Sequence, residues 1–286
     1  MELCSMHTIR PLLERHGFRF SKAMGQNFLV ADWVPREIAA GSGAEQNCGV
    51  LEIGPGVGCL TQELAVRAGR VAAVELDRRL IPVLAETVGG LPNVEIVQGD
   101  AMQLDLRAFA AEKFAGLRPM VCANLPYNIT TPVLTAILES EQFETVTVMI
   151  QREVAKRICA PAGSADYGAF TVFVNYYTEP EILFEVPPGC FVPQPKVTSA
   201  VVRMRTRTSP PVQADQKLFF KVVRASFAQR RKTLVNGLSG AFGQRLAKTQ
   251  LEQVVADCGF DLRVRGETLD LASFAAVTNR LEQVLK

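Results

Sequence analysis

Four groups of residues in this 286-residue chain have types and spacings that could do chemistry together. The first is Glu52-Ile53-Gly54-Pro55-Gly56-Val57-Gly58. Glycines in such a turn let backbone N–H groups approach a ligand closely, at a helix N-terminus with positive dipole character. A dinucleotide loop of the form G-x-G-x-x-G would need glycine at 59, where the chain has Cys59. The form E-x-G-x-G-x-G fits an S-adenosylmethionine (SAM) pocket better, with Gly54 and Gly56 packed against the methionine and ribose portions. The second group is Glu75-Leu76. Glu75 lies 21 residues after Gly54, where a carboxylate can accept both ribose hydroxyl protons. That acid would serve NAD as well as SAM, and it would repel a 2′-phosphate. The third is Gly99-Asp100-Ala101. Asp100 can accept from an adenine amine, with the Ala101 N–H as a neighbouring donor; it could equally cap a helix.

The fourth group, Asn124-Leu125-Pro126-Tyr127-Asn128-Ile129, is unusual at a strand end, because asparagine and proline are poor strand residues. A plain turn is one reading. The other is a clamp for an exocyclic amino group. The Asn124 side-chain oxygen and the Leu125 carbonyl can each accept one N–H, Pro126 stiffens the turn, and Tyr127 offers a face for a base to stack on, worth about 1–3 kcal/mol. Two acceptors on one amine draw it toward tetrahedral geometry and free its lone pair to attack a sulfonium methyl carbon in line. Catalysis would rest on alignment, which can supply up to roughly 7–11 kcal/mol, and on fixed dipoles in place of water. No histidine is needed.

These groups require a scaffold that brings strand ends together. GVLEIG (49–54), RVAAVEL (70–76), VEIVQGD (94–100), MVCANLP (120–126) and TVTVMIQ (145–151) are short, apolar and separated by helix-length segments. That pattern predicts βαβ units and a parallel sheet, with all four groups at the sheet's ligand-binding edge. EILFEVP (181–187) and SAVVRMR (199–205) add two strands. The polar, proline-containing stretch RTRTSPPVQAD marks a boundary, giving an N-terminal domain 1–207 and a C-terminal domain 208–286. Beyond it the pattern is helical: LFFKVVRASFAQRRKTLVNGL, LEQVVADCG and LASFAAVTNRLEQVLK. The fold class is α/β, a Rossmann-like sheet with a small C-terminal all-α domain.

Composition narrows the class further. Hydrophobic residues are 48% and charged residues 21%, which excludes a disordered chain. No apolar run reaches the ~18 residues of a membrane span. TIRPLLERH could form a basic amphipathic helix, but Glu2 and Glu14 argue against a mitochondrial presequence. The seven cysteines form no CxxC pair and read as reduced thiols of a cytoplasmic protein. The only histidines are His7 and His16, so neither a zinc site nor a Ser-His-Asp triad is expected. Residues 1–204 hold 17 Lys+Arg against 22 Asp+Glu, whereas 205–286 hold 14 against 7. A basic C-terminal segment on an acidic body suggests a polyanionic partner such as nucleic acid.

Seven motifs occur in order: GQNFL (25–29), VLEIGPGVGCLT (50–61), AVELD (73–77), GDA (99–101), NLPYNI (124–129), FVPQPKVTSAVV (191–202) and RRKTL (230–234). Together they resemble the KsgA-type ribosomal RNA adenine N6,N6-dimethyltransferases, over about residues 9–280. NLPY is shared with many amino-methylating enzymes; the combination of GQNFL, FVPQPKV and RRKTL is far more specific. The resemblance implies a class I SAM-dependent methyltransferase. Such an enzyme dimethylates N6 of two adjacent adenosines in a hairpin loop near the 3′ end of small-subunit rRNA, during ribosome assembly. It implies that Asn27 and Leu29 contact SAM, with Gly54, Glu75, Asp100 and Asn124 completing the cofactor site. Asn124, Leu125 and Tyr127 would hold the target adenine, and Phe191 would be the opposing aromatic wall; spacing alone reads Phe191 as a core residue. Ala165, Gln194, Thr198 and the weakly basic VNGLSG after RRKTL depart from the family pattern, but none falls on the cofactor or amine positions.

Arg224, Arg230, Arg231 and Lys232 are the candidate RNA contacts of the C-terminal domain. Arg10, Arg15, Arg19 and Lys22 are candidates in the N-terminal segment, and Arg152, Lys156 and Arg157 follow the fifth strand. The target base would have to leave its loop to enter the pocket. A monomer suits an enzyme that docks on a large particle. Three rival readings stand beside this one. A large-subunit rRNA methyltransferase of the antibiotic-resistance type shares the N-terminal motifs, but RRKTL favours the small subunit. A non-catalytic assembly factor is disfavoured by intact Glu75, Asp100 and NLPY. An NAD-dependent oxidoreductase is disfavoured by Cys59, by NLPY and by the lack of a proton donor.

Overall fold

The computed structural model of the chain describes residues 1–18, 27–229 and 231–286. Arg19, Lys22, Arg230 and the Gly25-Gln26 start of GQNFL lie outside the described residues. The chain divides into two compact units, residues 1–155 with 180–206, and residues 156–179 with 207–286.

In chain order the strands are β1 (Phe28–Leu29), β2 (Cys48–Ile53), β3 (Arg70–Glu75), β4 (Val94–Gln98), β5 (Arg118–Asn124), β6 (Thr145–Gln151), β7 (Thr178–Val186), β8 (Phe191–Val192) and β9 (Ser199–Thr206). Seven of them form one sheet in the order β4-β3-β2-β5-β6-β9-β7. Strands β4, β3, β2, β5 and β6 run parallel, and β9 pairs antiparallel with β6. These seven are the segments read as strands from sequence. The short antiparallel pair β1–β8, with Leu29 opposite Phe191, was not expected, because two-residue strands leave no periodic signal.

The helices of the first unit begin with α1 (Met6–Arg15), α2 (Trp33–Gly41), α3 (Cys59–Arg67) and α4 (Ile81–Thr87). They continue with α5 (Leu106–Lys113) and α6 (Thr130–Ser140), and α7 (Arg152–Ile158) spans the 155/156 boundary between the units. Every residue of β2 is buried, as expected of a parallel strand with both faces covered. Val34 and Ile38 of α2 and Leu60 and Leu64 of α3 pack with Val50, Val71, Met120 and Met149 of the sheet. A second cluster joins Ile9, Leu12 and Leu13 of α1 to Val57, Leu80, Val83, Leu84 and Val88. Strand order reverses direction between β2 and β5, so the carboxyl ends of β2, β3, β4 and β5 surround a crevice of the kind where open parallel sheets bind ligands.

The second unit contains α8 (Ala169–Tyr177), α9 (Gln216–Phe227), α10 (Leu234–Phe242), α11 (Lys248–Asp257) and α12 (Leu271–Leu285). Helix α9 packs on α8, α10 and α12. Side-chain caps start three of these helices: Asp215 accepts from the Leu218 N–H at 2.7 Å, Thr233 from Asn236 at 3.4 Å and Asp270 from Ser273 at 2.8 Å.

One sequence expectation needs correction here. The single cut at 207/208 leaves 156–179 with the first unit, but those residues belong to the second. Tyr176 and Tyr177 of α8 pack against Phe220, Tyr176 also meets Phe219, and the Tyr167 hydroxyl donates to the Leu269 carbonyl at 2.8 Å. In sequence, AFTVFVNYY looks like one more apolar crossover helix. The helical run LFFKVVRASFAQRRKTLVNGL holds two helices, α9 and α10. Among the described residues, no helix is long and apolar enough to cross a membrane.

Candidate active site

Strand β2 delivers the glycine loop into the crevice. Gly54 donates its N–H to the Val74 carbonyl at 2.9 Å, which ties the loop to β3. Gly58 has φ +93°, and a Cβ there would lie 2.8 Å from Val88 Cγ1. The loop can turn into α3 only without a side chain at that position. Gly56 has φ +62°, and its Cα faces the Phe28 ring, with a Cβ meeting Cε1 at 3.3 Å.

Four strand ends and this loop enclose a cavity of about 190 Å³. It is lined by Asn27, Leu29, Gly54, Gly56, Glu75, Leu76, Asp100, Ala101, Asn124, Leu125, Pro126 and Tyr127. Thus the structure brings together every residue expected to hold the cofactor and every residue of the amine clamp. It also brings in Phe28, Glu52 and Cys59, which sequence reasoning had not assigned to the site. For Glu52 a signal was present, since it opens the E-x-G-x-G-x-G pattern.

The carboxylates differ in their surroundings. Glu75 is nearly buried, and its Oε1 accepts the Asp77 N–H at 2.8 Å. Burial raises its pKa, opposed by hydrogen bonds from the Asp77, Gly56 and Leu76 backbone. Glu52 is 1% exposed, and its Oε2 has no partner among the described residues. Burial pushes its pKa up to about 8, with Thr61 opposing and the Glu75 charge adding to the rise. Asp100 lines the cavity and also caps a short helical turn, accepting from the Met102 N–H at 2.9 Å and from Gln103 Nε2 at 3.3 Å. Its cap reading is thus seen, and the cap leaves it at the cavity wall.

Around Asn124 the chain turns sharply. The Leu125 N–H donates to the Met149 carbonyl at 3.2 Å, extending the β5–β6 ladder by one bond. The Pro126 carbonyl then accepts from the Ile129 N–H and the Thr130 hydroxyl, each at 3.2 Å. Tyr127 is half-buried, and its hydroxyl lies 2.7 Å from the Ser199 hydroxyl. Burial raises the Tyr127 pKa, with Ser199 opposing, so the phenol stays neutral.

Phe191 is the exception. It is 2% exposed, belongs to the core cluster of the first unit and does not line the cavity. Pairing of β8 with β1 turns its side chain into the core, so in this structure it is not the wall facing Tyr127.

The candidate RNA contacts are more dispersed. Arg224 in the last turn of α9, and Arg231 and Lys232 before α10, are exposed and make no ion pair among the described residues. Arg10 is exposed, as are Lys156 and Arg157. By contrast, Arg15 pairs with Glu86, which also meets His16 at 2.7 Å, and Arg152 pairs with Glu185 at 3.4 Å.

A mixed sheet of this order, with a glycine loop after its first long strand and acids at the ends of the next two, defines a class I SAM-dependent methyltransferase. The profile of the ribosomal RNA adenine dimethylase family matches residues 17–276, and the chain belongs to that family. It is 47% identical over 276 residues to ribosomal RNA small subunit methyltransferase A of Geobacillus thermodenitrificans (strain NG80-2), covering 95% of this chain and 94% of the relative. It is 42% identical to the protein of the same name from Alkaliphilus oremlandii (strain OhILAs), covering 96% of each. Two solved structures share the fold. The dimethyladenosine transferase of Plasmodium falciparum superposes with a TM-score of 0.76 at 22% identity, covering 89% of this chain and 97% of that one. The 23S rRNA methyltransferase ErmE gives 0.67 at 28% identity, covering 90% and 100%.

Proposed function

We propose that the protein transfers methyl groups from SAM to N6 of two adjacent adenosines in a 3′-terminal hairpin loop of small-subunit (16S) rRNA. The product is N6,N6-dimethyladenosine, made in the cytoplasm during ribosome biogenesis by a monomer that docks on the immature subunit. One observation carries this reading: Asn124, Leu125 and Tyr127 line the same cavity as Glu75, Asp100 and the glycine loop. The small-subunit choice is supported by the names of relatives that match 95% or more of the chain.

Glu75 would hold the ribose hydroxyls, and Asp100 with the Ala101 N–H would hold the adenine of the cofactor. Asn27, Leu29, Gly54 and Gly56 would close around its remaining length. Bound SAM supplies an electrophilic methyl carbon on a sulfonium, for which the adenosine N6 lone pair is the nucleophile. The Asn124 side-chain oxygen and the Leu125 carbonyl accept the two N6 hydrogens and fix the direction of that lone pair. Tyr127, oriented by Ser199, supplies the stacking face. No side chain needs a tuned pKa, because the methylated amine sheds its proton after transfer. Arg224, Arg230, Arg231 and Lys232 would meet phosphates and place the loop.

The test is methyl transfer from labelled SAM to ribosomal particles from cells lacking the modification, with product nucleosides identified by mass. Dimethyladenosine in small-subunit particles, and no label in large-subunit particles, is the expected result. Label in the large subunit would transfer the assignment to a resistance-type enzyme. No label anywhere, with SAM binding intact, would favour a non-catalytic assembly factor.

A further inference from the structure

Cys59 begins α3 directly after the glycine loop and lines the cofactor cavity. Its thiol donates to the Leu3 carbonyl at 2.8 Å, and Leu3 and Cys59 share one buried cluster against which Cys4 is packed. Two cysteines that are 55 positions apart in sequence are therefore neighbours, one on the N-terminal segment and one on the cofactor loop. The two thiols lie close enough for Cys59 to draw the Cys4 pKa down. The others differ in setting: Cys48, Cys122 and Cys190 are buried, while Cys159 and Cys258 lie in the second unit.

We infer that Cys4 and Cys59 form a thiol oxidation site, which a peroxide converts into an intramolecular disulfide tying the N-terminal segment to the cofactor loop. Three features fit this role. Cys4 is partly exposed, so a small oxidant can reach it. The neighbouring Cys59 thiol holds the Cys4 pKa below the ordinary thiol range, which favours the reactive thiolate. Cys59 is buried and stays protonated, so it is protected from direct attack but stands beside the oxidised partner.

The chemistry balances in two steps. The Cys4 thiolate attacks one peroxide oxygen, the O–O bond breaks, and Cys4 becomes a sulfenic acid while hydroxide leaves and takes up a proton as water. The Cys59 sulfur then attacks the Cys4 sulfur, the S–O bond breaks, and the second oxygen leaves as water with the Cys59 proton. The two thiols together give up two electrons to the peroxide.

The experiment treats the full-length reduced protein with hydrogen peroxide, blocks remaining thiols with an alkylating reagent after unfolding, and maps the digest by mass spectrometry. The expected product is a linked peptide pair containing Cys4 and Cys59, with the other five cysteines alkylated. The Cys4→Ser variant changes a partly exposed residue and leaves the core intact; in it, Cys59 should remain fully alkylatable after the same treatment. In Cys59→Ser, which keeps a donor beside Cys4 but cannot form the disulfide, Cys4 should instead accumulate as a sulfenic acid that dimedone traps. Cys4 oxidised to sulfinic acid with Cys59 still alkylatable in the unmodified protein, or Cys59 lost equally in Cys4→Ser, would overturn the inference.

Discussion

At the scale of single residues, the site places two buried acids to different uses. Glu75 has its backbone donors, lines the cavity and is proposed to hold the ribose of the cofactor. Replacing it with alanine removes charge-assisted hydrogen bonds worth about 1.5–3 kcal/mol, so SAM affinity by calorimetry should fall about 10- to 100-fold. Glu52 carries an orphaned buried oxygen, and its pKa rises to about 8. In the unfolded chain this carboxyl ionises near 4.5. Between those values the folded state holds a proton that the unfolded state has lost, so stability falls as pH rises through that window. Above about pH 8 the penalty is complete; below the unfolded value it is absent. Glu52→Gln should remove the Glu52 part of the decline, leaving the part from Glu75, whose pKa is also raised by burial. Unfolding free energies from urea titrations at pH 5 and pH 8.5 should differ by an amount on the order of a few kcal/mol in the parent and by less in the variant. Equal pH dependence in both proteins would remove Glu52 as its source.

At the scale of elements, the glycine loop is the joint between sheet and cavity. Gly58→Ala would force a side chain into left-handed backbone and against Val88, at a cost of about 1–3 kcal/mol. Its urea midpoint should drop, whereas Gly90→Ala, with open space around its Cα, should change little. Legibility also belongs to this scale. The seven long strands could be read because continuous apolar runs bounded by turn residues are the imprint of burial on both faces. The acids and NLPY could be placed because strand ends in a parallel sheet share one edge. What stayed hidden was tertiary in origin. The membership of α8 in the second unit depends on aromatic contacts with α9 that no local pattern encodes. The inward turn of Phe191 is fixed by its pairing with Leu29, more than 160 positions away. Glu52 was visible as a letter in a motif, but its unpaired oxygen was not.

At the scale of the whole molecule, the two units differ in charge as well as architecture. Basic residues outnumber acids 15 to 9 in the second unit, and Arg224, Arg231 and Lys232 are exposed. If they neutralise phosphates, Arg231→Ala and Lys232→Ala should each weaken RNA binding at low salt. Each should also reduce the slope of log affinity against log salt by about 0.7–0.9. Substitution of Arg15, already paired with Glu86, should leave that slope nearly unchanged. A slope that ignores Arg231 and Lys232 would place the RNA contacts elsewhere.

The most direct test of the mechanism is a single-turnover measurement with Asn124→Ala. Saturating labelled SAM and unmodified small-subunit particles would be used, with SAM and RNA affinities measured in parallel. If Asn124 aligns the adenosine amine, the rate of methyl transfer should fall by about 100-fold or more, while RNA affinity stays within a few-fold of the parent. Loss of RNA binding in proportion to rate, or an unchanged rate, would contradict the amine clamp.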